Sequence, residues 1–274
     1  AADPLQEADR EEDVNQEFAG KVAVVTGSSG IGLGAALKLA ELGARVHLCG
    51  NSEEHNAAAR DRTAGKSISV EAVDVSNDGE VERLASRIRA EGPEVHVLVN
   101  AAAIQPYGTV ETTSPDDWDR TMGVNLRSYY LMSHFLYPMM KGRPGGASII
   151  HFASVQGHSN QRNVMAYATS KGAIHALTRA MAVDCARDGV RVNSISPGSI
   201  RTPMLEFSAR SLMSPGGSLE ETIERFGAGH PVGRVGTIDE VAELVAFLAS
   251  PRSGFCTGSD FAIDGGLRAQ LGVQ

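Results

Sequence analysis

The segment from Ser154 to Lys171 holds residue types that could move a proton. Tyr167 and Lys171 are four positions apart, so on a helix their side chains share one face. A free tyrosine, with a pKa of about 10, is a poor base at neutral pH, but a neighbouring ammonium favours its ionised form. Ser154 ends an apolar, strand-like run thirteen residues before Tyr167, where its hydroxyl could bond the same substrate oxygen. The three side chains indicate acid–base chemistry at an alcohol or carbonyl group.

A glycine-rich turn lies near the start of the chain. Residues 26–32 read Thr-Gly-Ser-Ser-Gly-Ile-Gly, between a β-branched run and a segment rich in alanine and leucine. Glycines let the backbone turn tightly and approach a pyrophosphate, and a helix N-terminus offers free N–H groups. Glycines also serve ordinary tight turns, but the position between the first strand and the first helix predicts a dinucleotide cradle.

Two later segments would meet the adenosine half of the dinucleotide. An acid at the end of the second strand selects NAD, whereas an arginine there pairs with the 2′-phosphate of NADP. The chain has Asn51 and Ser52, which could serve either ribose, followed by Glu53 and Glu54. The glutamates would repel a phosphate if they faced the site, which favours NAD, although they could equally be solvated first-turn residues. Asp74, after the third strand, could accept a hydrogen bond from adenine or merely cap a helix.

From Lys21 onward, short β-branched runs alternate with longer segments of helical period. This pattern predicts an α/β fold with a Rossmann-like, doubly wound parallel sheet of seven strands and helices on both faces. The predicted strands are Lys21–Thr26, Arg45–Cys49, Ile68–Val73, Val95–Asn100, Ser148–Phe152, Arg191–Ile195 and Asp260–Ile263. The clearest predicted helices are Gly32–Leu42, Gly79–Glu91, Trp118–Met140, Met165–Asp188 and Ile238–Ala249.

Two segments depart from this alternation. Residues 1–18 carry seven acidic side chains against one arginine, which predicts a solvated, flexible tail before a single domain at 19–274. Residues 203–230 contain two prolines and paired glycines and are too polar and interrupted for a core. They predict a mobile lid over the substrate.

Composition excludes several classes of protein. The 274 residues are 42% hydrophobic and 21% charged, enough for a folded core. No apolar run approaches the roughly 20 residues of a membrane helix, and no signal-peptide pattern begins the chain, so we expect a cytoplasmic protein. Three scattered cysteines and eight histidines lack disulfide or metal spacing, so no metal is predicted. The net charge of −8 and the absence of a basic stripe argue against nucleic acid.

The ordered motifs resemble those of classical short-chain dehydrogenases/reductases (SDRs) over about residues 19–267. The matching features are the turn at 26–32, similar to the family's Thr-Gly-x-x-x-Gly-x-Gly pattern, Asn-Ala-Ala at 100–102, Asn125, Ser154, Tyr-x-x-x-Lys at 167–171, and Pro197-Gly198. One departure is Ala103, where glycine is usual; it predicts a small local shift near the cofactor.

The resemblance implies a role for each matched residue. Tyr167 would be the general acid/base and Ser154 would orient the substrate oxygen. Lys171 would hold the nicotinamide ribose and lower the tyrosine pKa. Asn125 would anchor a water leading to Lys171, unless it only bends its helix or pairs locally. Together with the two adenosine segments, the expected cofactor contacts are Gly27, Ser29, Gly30, Ile31, Gly32, Asn51, Ser52, Asp74, Val75, Asn100, Ala101, Ala102, Tyr167, Lys171, Pro197, Gly198, Ile200 and Thr202.

The expected substrate contacts follow the catalytic strands. Their polarity suits a sugar or polyol better than a steroid or acyl chain, although these side chains could simply meet water. The sequence Ser-Val-Gln-Gly at 154–157 also resembles sugar- and polyol-oxidising SDRs. The predicted set is Ser154, Tyr167, Gln105, Gln156, His158, Asn163 and, in the lid, Met204 and Phe207.

Other functions remain as alternatives. They are a ketoreductase acting on an apolar carbonyl and a dinucleotide sensor without turnover, which would be expected to lack Tyr167 or Lys171. A serine hydrolase using Ser154 would need a Gly-x-Ser-x-Gly elbow that the sequence lacks. The resemblance further implies a homotetramer, assembled through the helix Met165–Asp188 and the C-terminal strand.

Overall fold

The computed structural model describes residues 16–92 and 94–271. Seven parallel strands form one sheet in the order β3-β2-β1-β4-β5-β6-β7. The strands are β1 (Val22–Thr26), β2 (Arg45–Gly50), β3 (Ile68–Ala72), β4 (Val97–Asn100), β5 (Ala147–Phe152), β6 (Val190–Pro197) and β7 (Asp260–Ile263). The α-helices are α1 (Gly30–Glu41), α2 (Glu53–Thr63), α3 (Asp78–Glu91), α4 (Pro115–Met122), α5 (Ser128–Met140), α6 (Met165–Cys185), α7 (Pro203–Ser211), α8 (Leu219–Ala228) and α9 (Ile238–Ala249).

The sheet is buried on both faces, as its apolar strands require. In β1, Ala23 and Val25 join the core beneath α1 and α9, whereas Val24 joins the core beneath α3, α5 and α6. This alternation follows the two-residue period of a strand. The doubly wound, single-domain α/β fold predicted from the sequence is confirmed.

Outside residues 203–230, the helices differ from the prediction at three places. The segment predicted as one helix from Trp118 to Met140 begins at Pro115 and is divided by a π-helical turn at Gly123–Arg127. The predicted Met165–Asp188 helix ends at Cys185 and continues as a short 3₁₀ turn. Helix α2 was not predicted, because only three of its residues are buried and its apolar period is weak.

Residues 203–230 are more regular than the sequence predicted. They form α7 and α8, which pack against each other. Thr202 caps α7, and Ser218 with Glu221 forms a capping box on α8. These caps satisfy free backbone donors and allow two short helices despite Pro215 and the paired glycines between them. Motion of this pair stays a prediction.

The folded domain begins earlier than predicted. Phe18 is 2% exposed and belongs to the core, and its backbone N–H donates to Leu42 at 2.8 Å. Glu17 pairs with Arg252 at 2.9 Å. Residues 17 and 18 are therefore part of the domain, because an aromatic side chain buried against α1 outweighs the acidic composition around it. The remainder of the predicted tail, residues 1–15, lies outside the described residues.

Within the described ranges, we find no helix that combines the length and apolar character needed to cross a bilayer.

Candidate active site

The candidate site is a cavity of about 360 Å³ at the carboxyl ends of the parallel strands. Strands β1 and β4 are neighbours there although β2 and β3 intervene in sequence, so this is the switch point at which α/β sheets bind ligands. The predicted residues that line the cavity are Gly27, Ser29, Gly30, Ile31, Gly32, Ala101, Ala102, Gln105, Ser154, Gln156, Tyr167, Lys171, Pro197, Gly198, Ile200, Thr202 and Met204.

The proton-moving side chains converge on this cavity from two elements. Tyr167 and Lys171 lie in the first turns of α6, both buried. The Lys171 Nζ donates to the Phe152 carbonyl oxygen at 2.6 Å and lies 5.5 Å from the centre of the Tyr167 ring. Ser154 follows β5, and its Oγ accepts the Gln156 N–H at 3.1 Å. This bond leaves the Ser154 hydroxyl proton free to be donated.

The charge states of the pair differ from the simple expectation. Burial raises the pKa of Tyr167 to about 12, although a hydrogen bond with Ser154 acts in the opposite direction. Burial also lowers the pKa of Lys171 to about 7. Burial is therefore the largest influence on the pKa of Tyr167, and the lowering expected from Lys171 stays a prediction. Removing both groups from water disfavours both charged forms.

Asn125 lies in the π-helical turn, and its amide holds two other segments. Its Nδ2 donates to the Ile104 carbonyl at 2.9 Å and to Ser170 Oγ at 3.1 Å, and its Oδ1 accepts the Ile104 N–H at 2.8 Å. Both amide protons are thus used. The side chain joins the segment after β4 to the residue preceding Lys171, which is more than the local pairing of an ordinary mid-helix asparagine.

The glycine turn fits a pyrophosphate. Gly27 and Gly30 have φ of 95° and 52°, in the region that favours glycine. A Cβ on Gly32 would lie 2.1 Å from the Gly27 carbonyl oxygen. Ser29 makes no side-chain cap on α1, and the first turn of α1 has no acid, so its N–H groups can meet an anion. The turn has two residues between Gly27 and Gly30, one fewer than the family pattern it resembles.

The backbone at the end of β2 is packed more closely against the glycine turn than the sequence indicates. A Cβ on Gly50 would lie 2.1 Å from Ser28 Oγ. Ser52 caps α2 by accepting the His55 N–H at 3.3 Å, and Glu53 pairs with Arg60 at 2.8 Å. Sequence reasoning missed Arg60 as a nearby base because α2, the helix that brings it to Glu53, was not predicted.

Five expected cofactor residues stand outside the cavity lining: Asn51, Ser52, Asp74, Val75 and Asn100.

Asp74 and Asn100 are held by neighbouring residues. Asp74 Oδ1 accepts from the Ser76 N–H and hydroxyl at 2.9 and 2.7 Å, while α3 is capped by Asn77. The alternative that Asp74 caps this helix is therefore wrong. Asn100 is fully buried and lies 3.2 Å from His151 on β5, so its side chain joins two strands beneath the cavity.

The predicted substrate residues divide into two groups. Gln105, Gln156 and Met204 line the cavity, whereas His158, Asn163 and Phe207 are absent from its lining. His158 bonds Asp260 instead, at 2.8 Å. Asn163 is exposed, with a φ of 65° at the start of α6. Sequence reasoning missed the polar lining residues Ser159 and Gln161 and the apolar Leu205, Leu212, Phe226 and Leu267, several of which come from the unpredicted helices α7 and α8.

We predict that Gly32→Ala raises the Kd for a nicotinamide dinucleotide by about 100-fold or more, because the new methyl displaces the turn that receives the phosphates. Isothermal titration calorimetry with NAD and with NADP measures this. Gly79→Ala is the matched control, since its Cβ would meet the flexible end of Arg83 at 3.3 Å and Asn77 Oδ1 at 3.6 Å, which is an ordinary van der Waals contact. Near-native affinity in Gly32→Ala would contradict the cradle.

Burial of Lys171 also predicts a pH dependence of stability. Because its pKa falls from 10.5 to about 7 on folding, the unfolded chain binds more protons between these values, and stability rises with pH there. Lys171→Met cannot titrate and should lack this rise. Urea denaturation midpoints between about pH 7 and 9.5 measure the difference. The exposed control Lys66→Met should follow the wild type, and parallel curves for Lys171→Met and wild type would refute the prediction.

Comparison with known proteins gives the chain its family. A family model described as enoyl-(acyl carrier protein) reductase matches residues 25–268. An uncharacterized oxidoreductase of Thermotoga maritima is 35% identical over 92% of this chain and 99% of its own length. Cyclopentanol dehydrogenase of Comamonas testosteroni is 36% identical over 91% of this chain and 97% of its own.

A solved structure agrees with these matches. Ligand-free aldohexose dehydrogenase of Thermoplasma acidophilum superposes with a TM-score of 0.86 at 34% identity, covering 94% of this chain and 98% of that one. Dehydrogenase/reductase SDR family member 6 of Xenopus laevis is 34% identical over 90% of this chain and 97% of its own. The chain therefore belongs to the short-chain dehydrogenase/reductase family, NAD(P)-dependent oxidoreductases that act on CH–OH groups.

Proposed function

We propose that this chain interconverts a secondary alcohol and a ketone, or a sugar hemiacetal and a lactone, with Tyr167 as the general acid/base. The observation that carries the proposal is that Tyr167, Ser154 and Lys171 line one cavity next to a glycine turn that fits a pyrophosphate. A bound nicotinamide dinucleotide supplies or accepts the hydride. Tyr167 gives a proton to the substrate oxygen in reduction and takes it in oxidation, while Ser154 donates a hydrogen bond to that oxygen.

The roles of Lys171 and Asn125 follow from where they are held. The Phe152 carbonyl fixes Lys171 Nζ on the side of the cavity nearest Tyr167. A protonated Lys171 there favours the tyrosinate needed for oxidation. Asn125 bonds Ser170, beside Lys171, and its proposed role is to anchor a water that links Lys171 to solvent.

The substrate class rests on the polar side of the cavity. Gln105, Gln156, Ser159 and Gln161 supply donors and acceptors suited to a sugar or polyol. One similar protein is named an aldohexose dehydrogenase. A second candidate is an apolar carbonyl compound, favoured by the apolar side formed by α7, α8 and the C-terminal segment. Its members are Met204, Leu205, Leu212, Phe226 and Leu267.

NAD is the proposed dinucleotide. Gly50 to Glu54 contains no basic residue, and Glu54 is exposed in the first turn of α2. Glu54 is left as the acidic residue that would repel a 2′-phosphate, because Glu53 pairs with Arg60.

A homotetramer is the proposed assembly, supported by apolar side chains exposed on α5 and α6, such as Tyr130 and Val183. A cytoplasmic location stays a prediction from the sequence.

Tyr167→Phe should bind the dinucleotide normally but lose about 10²-fold or more in kcat, because the ring remains and only the acid/base hydroxyl is removed. Steady-state kinetics and calorimetric titration of the cofactor measure the two effects. Tyr130→Phe, at a position 51% exposed, should match the wild type. Turnover within a few-fold of wild type in Tyr167→Phe would refute its proposed role.

The substrate and dinucleotide are tested together by the rate of nicotinamide reduction or oxidation. We expect the highest kcat/KM with a sugar or polyol and NAD, because the polar wall meets hydroxyl groups and Gly50–Glu54 contains no basic partner for a 2′-phosphate. The panel includes sugars, polyols, hydroxy acids, cyclic alcohols and steroids, each with NAD and with NADP. Activity confined to apolar substrates, or faster rates with NADP, would contradict the corresponding half of the proposal.

A further inference from the structure

A cluster of three chemically active side chains lies beside the candidate site but outside its lining. His158 Nε2 is 2.8 Å from Asp260 Oδ2, and His175 Nε2 is 3.5 Å from Asp260 Oδ1. The two imidazole rings stack with centres 4.0 Å apart. Asp260 is the first residue of β7 and His175 lies in α6. Each histidine is more than 80 positions from Asp260 in sequence, and both rings lie close to its carboxylate.

This cluster is better suited to hydrogen bonding than to a metal ion. Asp260 Oδ1 accepts the hydroxyl protons of Ser194 and Ser196 at 2.8 Å each, and Oδ2 lies 3.3 Å from Arg268 Nη1. A cation would have to displace these donors and approach the arginine charge. Stacked rings also direct their nitrogens along nearly parallel lines, whereas a tetrahedral metal needs lone pairs that converge.

The carboxylate remains charged in this setting. Burial acts to raise the pKa of Asp260, but hydrogen bonds from His175, Ser196, His158 and Ser194 hold it well below its usual range. Charge-assisted bonds of this kind are stronger than neutral ones. Asp260 can therefore hold His158 directly. It holds His175 together with Ser196, whose Oγ lies 3.0 Å from His175 Nε2 and donates to Asp260 Oδ1.

The histidines belong to the two segments that carry the catalytic groups. His175 lies one helical turn after Lys171 on α6. His158 ends the 3₁₀ turn that starts at Ser154, in which the Gly157 and His158 N–H groups donate to the Ser154 and Val155 carbonyls at 2.9 and 3.0 Å.

The turn and the helix are also in direct contact at Gly157. A Cβ on Gly157 would lie 2.6 Å from His175 Cε1 and 2.9 Å from the Lys171 backbone. Because Gly157 has no side chain, the 3₁₀ turn can lie directly against α6. It contacts the helix between Lys171, which belongs to the active site, and His175, which belongs to the cluster.

We propose that His158, Asp260 and His175 form a positioning clamp that fixes the Ser154–Gly157 turn against α6, and so sets Ser154 and Gln156 relative to Tyr167. His158 is the movable member, because it is partly exposed and ends the turn, whereas His175 is buried in α6. His158 lies outside the cavity lining and acts through Ser154. The inference rests on the proposed role of Ser154 in orienting the substrate oxygen.

The test compares His158→Ala with His158→Gln. His158→Ala removes the bond to Asp260 and the ring stack. It should lower kcat by about 10-fold to 100-fold through misplacement of Ser154, leave the dinucleotide Kd unchanged, and speed hydrogen exchange at the amides of 156–158. In His158→Gln an amide N–H can still reach Asp260, so both properties should return most of the way to wild type. Lys66→Ala, at an exposed position outside the cavity lining and the proposed interface, is the control.

Three results would overturn the clamp: unchanged hydrogen exchange at 156–158 in His158→Ala, an effect confined to cofactor affinity, or no recovery in His158→Gln. Zinc-dependent activation that His158→Ala abolishes would also overturn it, in favour of a cation site. Ser154→Ala, assayed in parallel, separates the two proposals. If it keeps full turnover, the proposed function of Ser154 fails, while the exchange data still decide whether the clamp exists.

Discussion

Burial of the Lys171 ammonium is the constraint on which the active-site arrangement depends. Removing a charged amine from water is costly, and such a group must be compensated by hydrogen bonds or lose its proton. Here the Phe152 carbonyl accepts from Nζ at 2.6 Å, and that carbonyl belongs to the last residue of β5. The bond therefore fixes α6 to the strand that leads directly to Ser154. Tyr167, one turn earlier on the same helix, is positioned by the same contact.

The cofactor side of the cavity is in contact with the α7–α8 pair, which we call the cover because its residues line the cavity. Thr202, in the segment after β6, caps α7 through its hydroxyl, and a Cβ on Gly30 would lie 3.4 Å from the Thr202 Cβ. The glycine turn, the segment expected to meet the nicotinamide and the first helix of the cover are thus packed together. A substitution in any one of these segments should displace the other two, because close-packed interiors transmit displacement.

The cavity presents two chemically different walls, and each has a separate origin in the chain. The polar wall comes from the segments that follow β4 and β5, whereas the apolar wall comes mainly from α7 and α8. A ligand with hydroxyl groups on one side and carbon surface on the other would satisfy both walls.

Features that depend on neighbours along the chain can be predicted from the amino-acid sequence alone. The alternation of strands and helices, the glycine turn and the spacing of Tyr167 and Lys171 are local patterns, because periodicity and backbone freedom are properties of short segments. Contacts between residues far apart in the chain are set by the folded structure. Folding buries Phe18, pairs Glu53 with Arg60 and brings His158 within 2.8 Å of Asp260. It also raises the pKa of Tyr167 and lowers that of Lys171. The physical reason is that burial and ion pairing depend on every element packed around a residue, and a linear sequence does not contain those distances.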